Sequence, residues 1–284
     1  LKGCICLDID GTITTEAFHI PEEVVKCFES LHSKGWKFLF STGRPYAYAA
    51  RIFHNFKFPF YLSLQNGADI LEMPEKKVIS KAHLSANFVR DLDEIYKEME
   101  EDYLIYSGLE KGDFCYYRPQ RFSPKALEHL EVVQSIVPEP WEGVEEFSFS
   151  EKDTFPLIKG LGSKEQMQFL FDKLKPYKEI YSTLIIDPLS RKSSGVHTYL
   201  NLITSKHATK GEVVKRIRSL LPEGTHFIAA GDDRNDIPML EEADFAIVMK
   251  NAPEDLLTLA DLIAEPAENM GIIQALFKAT GEKV

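Results

Sequence analysis

Leu7-Asp8-Ile9-Asp10-Gly11-Thr12-Ile13 is the stretch on which the fold of this chain turns. An apolar run, Cys4 to Leu7, ends in two aspartates two positions apart, and Gly-Thr follows. A strand alternates its side chains between faces, but a turn at Gly11 lets Asp8 and Asp10 both face a site beyond the strand's C-terminal end. In open α/β sheets that edge is where ligands bind. Two carboxylates this close repel, and they settle only with a cation or a shared proton. The arrangement suits a magnesium-dependent carboxylate nucleophile with a carboxylic acid beside it. Asp-x-Asp-Gly-Thr is also ordinary turn chemistry, because Asp and Gly dominate turns. Three further segments decide between the two.

The first is Phe38-Leu39-Phe40-Ser41-Thr42-Gly43-Arg44, an apolar strand followed by hydroxyls and Gly. Thr42 with the N–H groups of Gly43 and Arg44 could hold a phosphate at a helix N-terminus, or Thr42 could do no more than cap that helix. The second is Thr209-Lys210-Gly211. A Lys opening a helix opposes the macrodipole, and a locally unfavourable residue hints at a functional demand, although a lone Lys is usually just solvated. The third is Phe227-Ile228-Ala229-Ala230-Gly231-Asp232-Asp233-Arg234-Asn235-Asp236. A small-residue strand there ends in Gly and a cluster of acids with an Asn. These are hard oxygen donors of the kind Mg²⁺ takes, or else acids welcome at a helix start.

Outward from these segments the chain alternates strand and helix. A strand at Cys4–Ile9 leads to a helix opened by Pro21-Glu22-Glu23 that runs to about Ser33. A strand at Lys37–Ser41, a helix through about Phe53 and a short run at Phe60–Leu64 follow. The rhythm predicts a parallel, helix-covered sheet. After about residue 70 it changes. A small hairpin (Asp69–Leu71, Lys77–Ile79) and a helix at Ala86–Glu101 come first. Strands follow at Tyr103–Ser107, Phe114–Arg118, Phe155–Lys159, Tyr181–Ile186 and His197–Ile203, with helices near Ser123–Val133 and Ser163–Leu174. From about residue 205 the first rhythm resumes, with helices at Lys210–Leu221, Asp236–Ala243, Glu254–Ala260 and Gly271–Ala279 and strands at His226–Ala230 and Phe245–Val248. The middle therefore reads as an insertion into an α/β domain. The expected fold is α/β, a Rossmann-like three-layer parallel-sheet core (1–80 and 205–284) carrying an inserted α+β cap (81–204).

Size and composition set bounds. With 284 residues, 44% hydrophobic and 27% charged, the chain can build a well-packed core. A net charge of −11 argues against nucleic acid as a partner, and it requires any phosphate site to supply its own local cations. No apolar run reaches the length of a membrane span. The first apolar stretch is too short and too soon acidic for a signal peptide, and a chain opening at Leu1 is expected to lack its initiator region. Cys4, Cys6, Cys27 and Cys115 offer no zinc spacing. They read as buried reduced thiols, which fits a cytoplasmic protein.

Taken jointly, Asp-x-Asp-Gly-Thr, Ser-Thr-Gly-Arg, Thr-Lys-Gly and Gly-Asp-x-x-Asn-Asp, each at a strand end and in this order, resemble the haloacid dehalogenase superfamily. The large insertion looks like that superfamily's C2-type cap. Asn66-Gly67-Ala68 and Met249-Lys250-Asn251-Ala252 are similar to its Cof-type (class IIB) phosphatases. Asp233 stands where that branch more often has Ser, and Lys250 where it often has Gly.

The resemblance implies an Mg²⁺-dependent phosphatase of small phosphomonoesters such as sugar phosphates. Asp8 would be the nucleophile that becomes an aspartyl-phosphate, and Asp10 the general acid and base, its pKa raised by like-charge crowding. Asp8, the Asp10 backbone carbonyl and Asp232 would hold the metal, with Asp236 and Thr12 supporting them. Thr42, Gly43, Lys210 and Asn235 would bind the phosphate. The cap would close over the substrate and read its leaving group. Cap residues with suitable chemistry are Tyr116, Tyr117, Arg118, Arg121 and Lys159, although each taken singly reads first as a core or surface residue, because tyrosines pack and charges solvate. His197 and His207 flank the cap's exit and receive no role. A phosphomutase on the same scaffold, a non-catalytic sugar-phosphate-binding protein and a receiver-type phospho-acceptor are the rival classes. The expected protein is a monomer or weak homodimer that binds no nucleic acid and no membrane.

Overall fold

A computed structural model describes residues 1–187 and 198–283. Its residues form two compact units. One comprises Leu1–Arg44, Ala49–Lys81 and the chain from Ala208 onward; the other comprises Pro45–Tyr48 and Ala82–His207.

The first unit is built on an eight-stranded sheet. Its order is Leu262–Ala264, Phe245–Met249, His226–Gly231, Gly3–Asp8, Trp36–Ser41, Phe60–Leu64, Asp69–Met73 and Lys77–Lys81. The first six strands run parallel. Gly3–Asp8 lies in the middle and is buried throughout. From it the chain first builds outward through Trp36–Ser41, then returns to place His226–Gly231 on its other side. Such a reversal of strand order is where open α/β sheets bind ligands, outside the carboxyl ends. Period-two alternation sends Phe38 and Phe40 to one face, where they meet Phe28, Phe53, Phe56, Phe58 and Phe60 in a dense ring cluster. Cys4, Cys6, Leu39, Phe227 and Ala229 pack on the opposite face with Val213, Val214 and Ile217 of the Lys210–Arg218 helix. All four cysteines are buried and unbridged.

The sheet departs from the all-parallel expectation. The Asp69–Met73 and Lys77–Lys81 hairpin adds to its edge antiparallel, at the end of the 1–80 span expected for the core. Only a short hairpin loop is needed for such strands, so no covering helix intervenes. The segment expected as one helix up to Phe53 is a four-residue helix, Tyr46–Ala49, followed by a 3₁₀ turn, Ala50–Phe53. The edge strand Leu262–Ala264 was not foreseen, because three residues carry no periodicity.

The second unit has a six-stranded sheet ordered Ile180–Ile186, Tyr199–Ser205, Leu157–Gly162, Tyr103–Tyr106, Cys115–Tyr117 and Trp141–Gly143. Neighbours are antiparallel except the last pair. Helices Asn87–Tyr96 and Lys164–Leu174 pack on one face with Tyr103, Ile105, Ile158 and Ile203. Helix Pro124–Ile136 covers the other with Leu104, Tyr106, Leu157 and Leu161. The strand expected over Phe155–Lys159 is broken at Pro156, which has no N–H to give a ladder. Thr154–Phe155 pairs with Leu84–Ser85, and Leu157–Gly162 joins the main sheet. The expected Ala86–Glu101 helix stops at Tyr96. The strand expected over His197–Ile203 is Tyr199–Ser205, and His197 lies outside the described residues. No helix among the described residues is long and apolar enough to cross a membrane.

Candidate active site

Asp8 is the last residue of the central strand and Asp232 follows the end of its neighbour His226–Gly231. Adjacent parallel strands thus deliver both carboxylates to one edge of the sheet. Gly11 makes the approach possible. Its φ is +87°, and a Cβ there would lie 2.2 Å from Asp232 Oδ2, so only glycine passes. Thr12 Oγ1, one residue on, donates to Asp232 Oδ1 at 3.3 Å.

Lys210, opening its helix as expected, is fully buried and reaches into the carboxylates. Its Nζ donates to Asp8 Oδ1 and to Asp236 Oδ1, the latter at 2.5 Å. The other oxygen of Asp236, Oδ2, accepts from the N–H groups of Asp232 (3.0 Å) and Asp233 (3.1 Å). Asp236 therefore fastens both Lys210 and the turn that carries Asp232. Thr209 Oγ1 caps the helix by accepting from Glu212 N–H, so Lys210 holds its place against the macrodipole because two acids face it.

Electrostatics follow from burial and crowding. Burial first, and then the Asp236 carboxylate, push Asp8 well above the usual carboxylate range, while Lys210 pulls the other way. The same causes, in the same order, push Asp232 up to about 7. Burial works against the Lys210 charge, but Asp236 and Asp8 outweigh it and hold its pKa above the ordinary value. One ammonium faces three carboxylates, so the group is short of positive charge. Asp8, Asp232 and Asp236 each present an oxygen, and these lie within 4.8 Å of one another. An all-oxygen, carboxylate-rich set of that size fits a hard divalent cation such as Mg²⁺.

Asp10 stands apart from this group. Its side chain is 57% exposed and is gripped by the buried guanidinium of Arg44. Arg44 Nε donates to Asp10 Oδ2 at 2.9 Å, and Nη1 donates to the Ala17 carbonyl at 2.6 Å. Arg44 stands within Thr42-Gly43-Arg44, where the motif points only to backbone N–H groups and says nothing of a side-chain bond to Asp10. Thr42 is buried and its Oγ1 accepts from Arg44 N–H at 3.1 Å, while Gly43 is exposed. Asn235 Nδ2 donates to Asn66 Oδ1 at 3.2 Å, a second contact not foreseen.

The second unit reassigns one candidate. Arg118, expected as a possible substrate-reading residue, is wholly buried. Its Nε and Nη2 form a two-pronged bond with Asp102, both at 2.7 Å, and Nη2 also reaches Asp93 at 2.8 Å. Its guanidinium lies 4.1 Å from the Phe147 ring centroid. Lys159 donates to Tyr106 Oη at 2.9 Å, Tyr117 packs edge-on against Trp141, Tyr116 lies stacked near Phe114, and Arg121 meets Glu146 at the surface. His207 is exposed.

Residues 5–276 match a family model described as haloacid dehalogenase-like hydrolase. Phosphatase YwpJ of Bacillus subtilis is 23% identical over 290 residues, covering 94% of this chain and 96% of that protein. TM0651 from Thermotoga maritima superposes with a TM-score of 0.77 at 19% identity, covering 98% of this chain and 97% of that one. The subclass IIB sugar phosphatase BT4131 superposes at 0.71 and 20% identity, covering 98% and 99%. These two likenesses establish a shared fold.

Proposed function

The chain belongs to the haloacid dehalogenase-like hydrolases and is an enzyme of phosphoric monoester hydrolysis, and from that premise we propose that it transfers the phosphoryl group of small phosphomonoesters, sugar phosphates among them, to Asp8 and then to water. The observation that carries the proposal is the Asp8 carboxylate, set at the carboxyl edge of the central strand, bonded to Lys210 and crowded by Asp232 and Asp236.

Asp8 and Asp232 would hold Mg²⁺, with the Asp10 carbonyl as a further oxygen donor. Asp236, whose two oxygens are already engaged, keeps Lys210 and the Asp232 turn in place, and Thr12 orients Asp232. Bound there, the cation supplies charge neutralisation for the carboxylates and for the incoming phosphoryl group.

In the first step an Asp8 carboxylate oxygen attacks phosphorus, and the bond from phosphorus to the ester oxygen breaks as the new one forms. Asp10 is the group proposed to give a proton to the departing oxygen, which requires that one of its carboxylate oxygens leave the Arg44 guanidinium that holds both in this structure. Water then attacks the aspartyl-phosphate, Asp10 takes a proton from that water, and the Asp8–phosphorus bond breaks to release phosphate. Lys210, Thr42, the Gly43 N–H and Asn235 hold the phosphoryl oxygens. Arg44 steadies Asp10 between its two proton transfers. Phosphoryl transfer depends chiefly on such positioning and charge stabilisation.

The test is phosphate release from a panel of phosphomonoesters with Mg²⁺ and with EDTA, for the native chain and for Asp8→Asn. Release that needs the metal and disappears in Asp8→Asn is the expected result. Release retained by a clean Asp8→Asn preparation would place the nucleophile elsewhere.

A further inference from the structure

The turn Gln65-Asn66-Gly67, at the end of strand Phe60–Leu64, has a locally costly conformation. Three successive residues have positive φ: Gln65 at 48°, Asn66 at 60° and Gly67 at 109°. Two of them carry side chains in a region that L residues avoid. Gln65 is buried, and its Nε2 has no hydrogen-bond partner among the described residues. Strained backbone and unsatisfied buried donors collect at functional sites, held by the structure around them.

What holds this turn is the set of loops that carry the proposed phosphoryl ligands. Asn66 N–H donates to the Thr42 carbonyl at 2.9 Å, and Gln65 N–H to the Arg44 carbonyl at 3.2 Å. Asn66 Oδ1 accepts from Asn235 Nδ2 at 3.2 Å, across 169 positions of sequence. A Cβ on Gly67 would lie 2.8 Å from the Thr209 carbonyl oxygen and from Val213 Cγ2, so the turn seats directly on the start of the Lys210 helix. One short segment therefore touches the Thr42 loop, the Asn235 turn and the Lys210 helix.

We propose that Asn66 is a positioning residue for the phosphoryl site. Its backbone ties the turn to the Thr42 loop, and its Oδ1 orients the Asn235 amide, leaving the second N–H of that amide for a phosphoryl oxygen. Asn66 acts through Asn235 and makes no contact with substrate itself. The inference rests on the phosphatase reading and adds to it a residue whose effect falls on phosphate affinity more than on the chemical step.

Asn66→Gly tests this without collapsing the turn, because Gly accepts a φ of 60° while the amide is removed. The measurements are inorganic phosphate binding by calorimetry with Mg²⁺, and steady-state kinetics on an ester that the native enzyme hydrolyses. They are made for Asn66→Gly, Asn235→Ala and the double variant. Asn66→Gly is expected to weaken phosphate binding and raise KM about five- to tenfold, the scale of one lost hydrogen bond, with kcat within about twofold. In the Asn235→Ala background the same change is expected to move phosphate affinity by less than about twofold, since the two residues act as a unit. Native-like phosphate affinity in Asn66→Gly overturns the proposal, as do losses that multiply in the double variant. A native chain that neither binds phosphate nor hydrolyses any ester overturns the phosphatase reading along with it. A competent native chain beside an unaffected Asn66→Gly overturns this inference alone.

Discussion

Each of the two units buries a basic side chain among acids, yet the two clusters differ in balance. Arg118 and Asp102 face each other at depth, one charge against one, in a two-pronged bond between aromatic rings. Their further partners, Asp93 and Glu146, reach toward solvent. Lys210 is as deeply buried but faces Asp8 and Asp236, with Asp232 beside them. A balanced buried pair gives the chain a fixed packing element. A cluster short of positive charge holds its carboxylates in readiness for something that supplies it. Burial of charge alone therefore does not mark a site, and Arg118 shows how a basic residue with apt chemistry can be structural.

The sharpest way to break this contrast is Asp8→Asn. It should lower phosphate release by about three orders of magnitude or more, while far-ultraviolet circular dichroism and cooperative melting stay native-like. Unfolding of that variant would make the cluster structural after all.

Next in size is Arg118→Ala. Removing one partner of a buried ion pair leaves the other uncompensated, so the expected loss is about 3–5 kcal/mol in denaturant unfolding. Burial already raises the Asp102 pKa against the pull of Arg118, and its lone carboxylate would become costlier still. Unchanged stability with a raised KM would instead return Arg118 to the substrate.

A third test uses pH. Asp232 has its folded pKa raised to about 7 from 3.8, so between those values the folded state binds more protons than the unfolded one. As far as this group contributes, stability of the metal-free protein should then be fullest below about pH 4, fall as pH rises from there to about 7, and level off above it. Mg²⁺ should restore it by a few degrees of melting temperature, increasingly toward pH 8, since it binds only the deprotonated form. Asp232→Asn should flatten both trends. A melting temperature indifferent to Mg²⁺ at pH 8 would contradict the cation assignment.

The smallest effect is expected at Arg121. Its contact with Glu146 is long, 3.4 Å, and both side chains are exposed, so Arg121→Ala should change unfolding free energy by no more than about 0.5 kcal/mol. A larger loss would show that the surface arm of the Arg118 cluster also carries stability.

Much of the site was legible one strand at a time. Asp8, Thr42, Lys210 and Asp232 each sit where an apolar run meets a turn or a helix start, and those junctions are written locally in hydrophobic periodicity, Gly and hydroxyl residues. Arg44 and Asn66 stand within such motifs, but their side-chain partners are not written there. Asp10 lies 34 positions from Arg44 and Asn235 lies 169 from Asn66, and no local pattern encodes a pairing at that range. Arg118 and Arg121, both in the second unit, also look alike in sequence, three positions apart, though one is wholly buried and the other 40% exposed.

The sequence by itself determined most of the longer elements and the motifs near their ends, because backbone preference and side-chain periodicity act over a few residues, while short strands and exact boundaries waited on their partners. Tertiary structure decided which of those ends meet. The reversal of strand order beside Gly3–Asp8 set Asp232 against Gly11, seated Lys210 between Asp8 and Asp236, and parked Asp10 on Arg44. Burial then raised the pKa of Asp8 and of Asp232. That shift belongs to the folded state, since it arises from desolvation and from charges that are neighbours only once the sheet has closed.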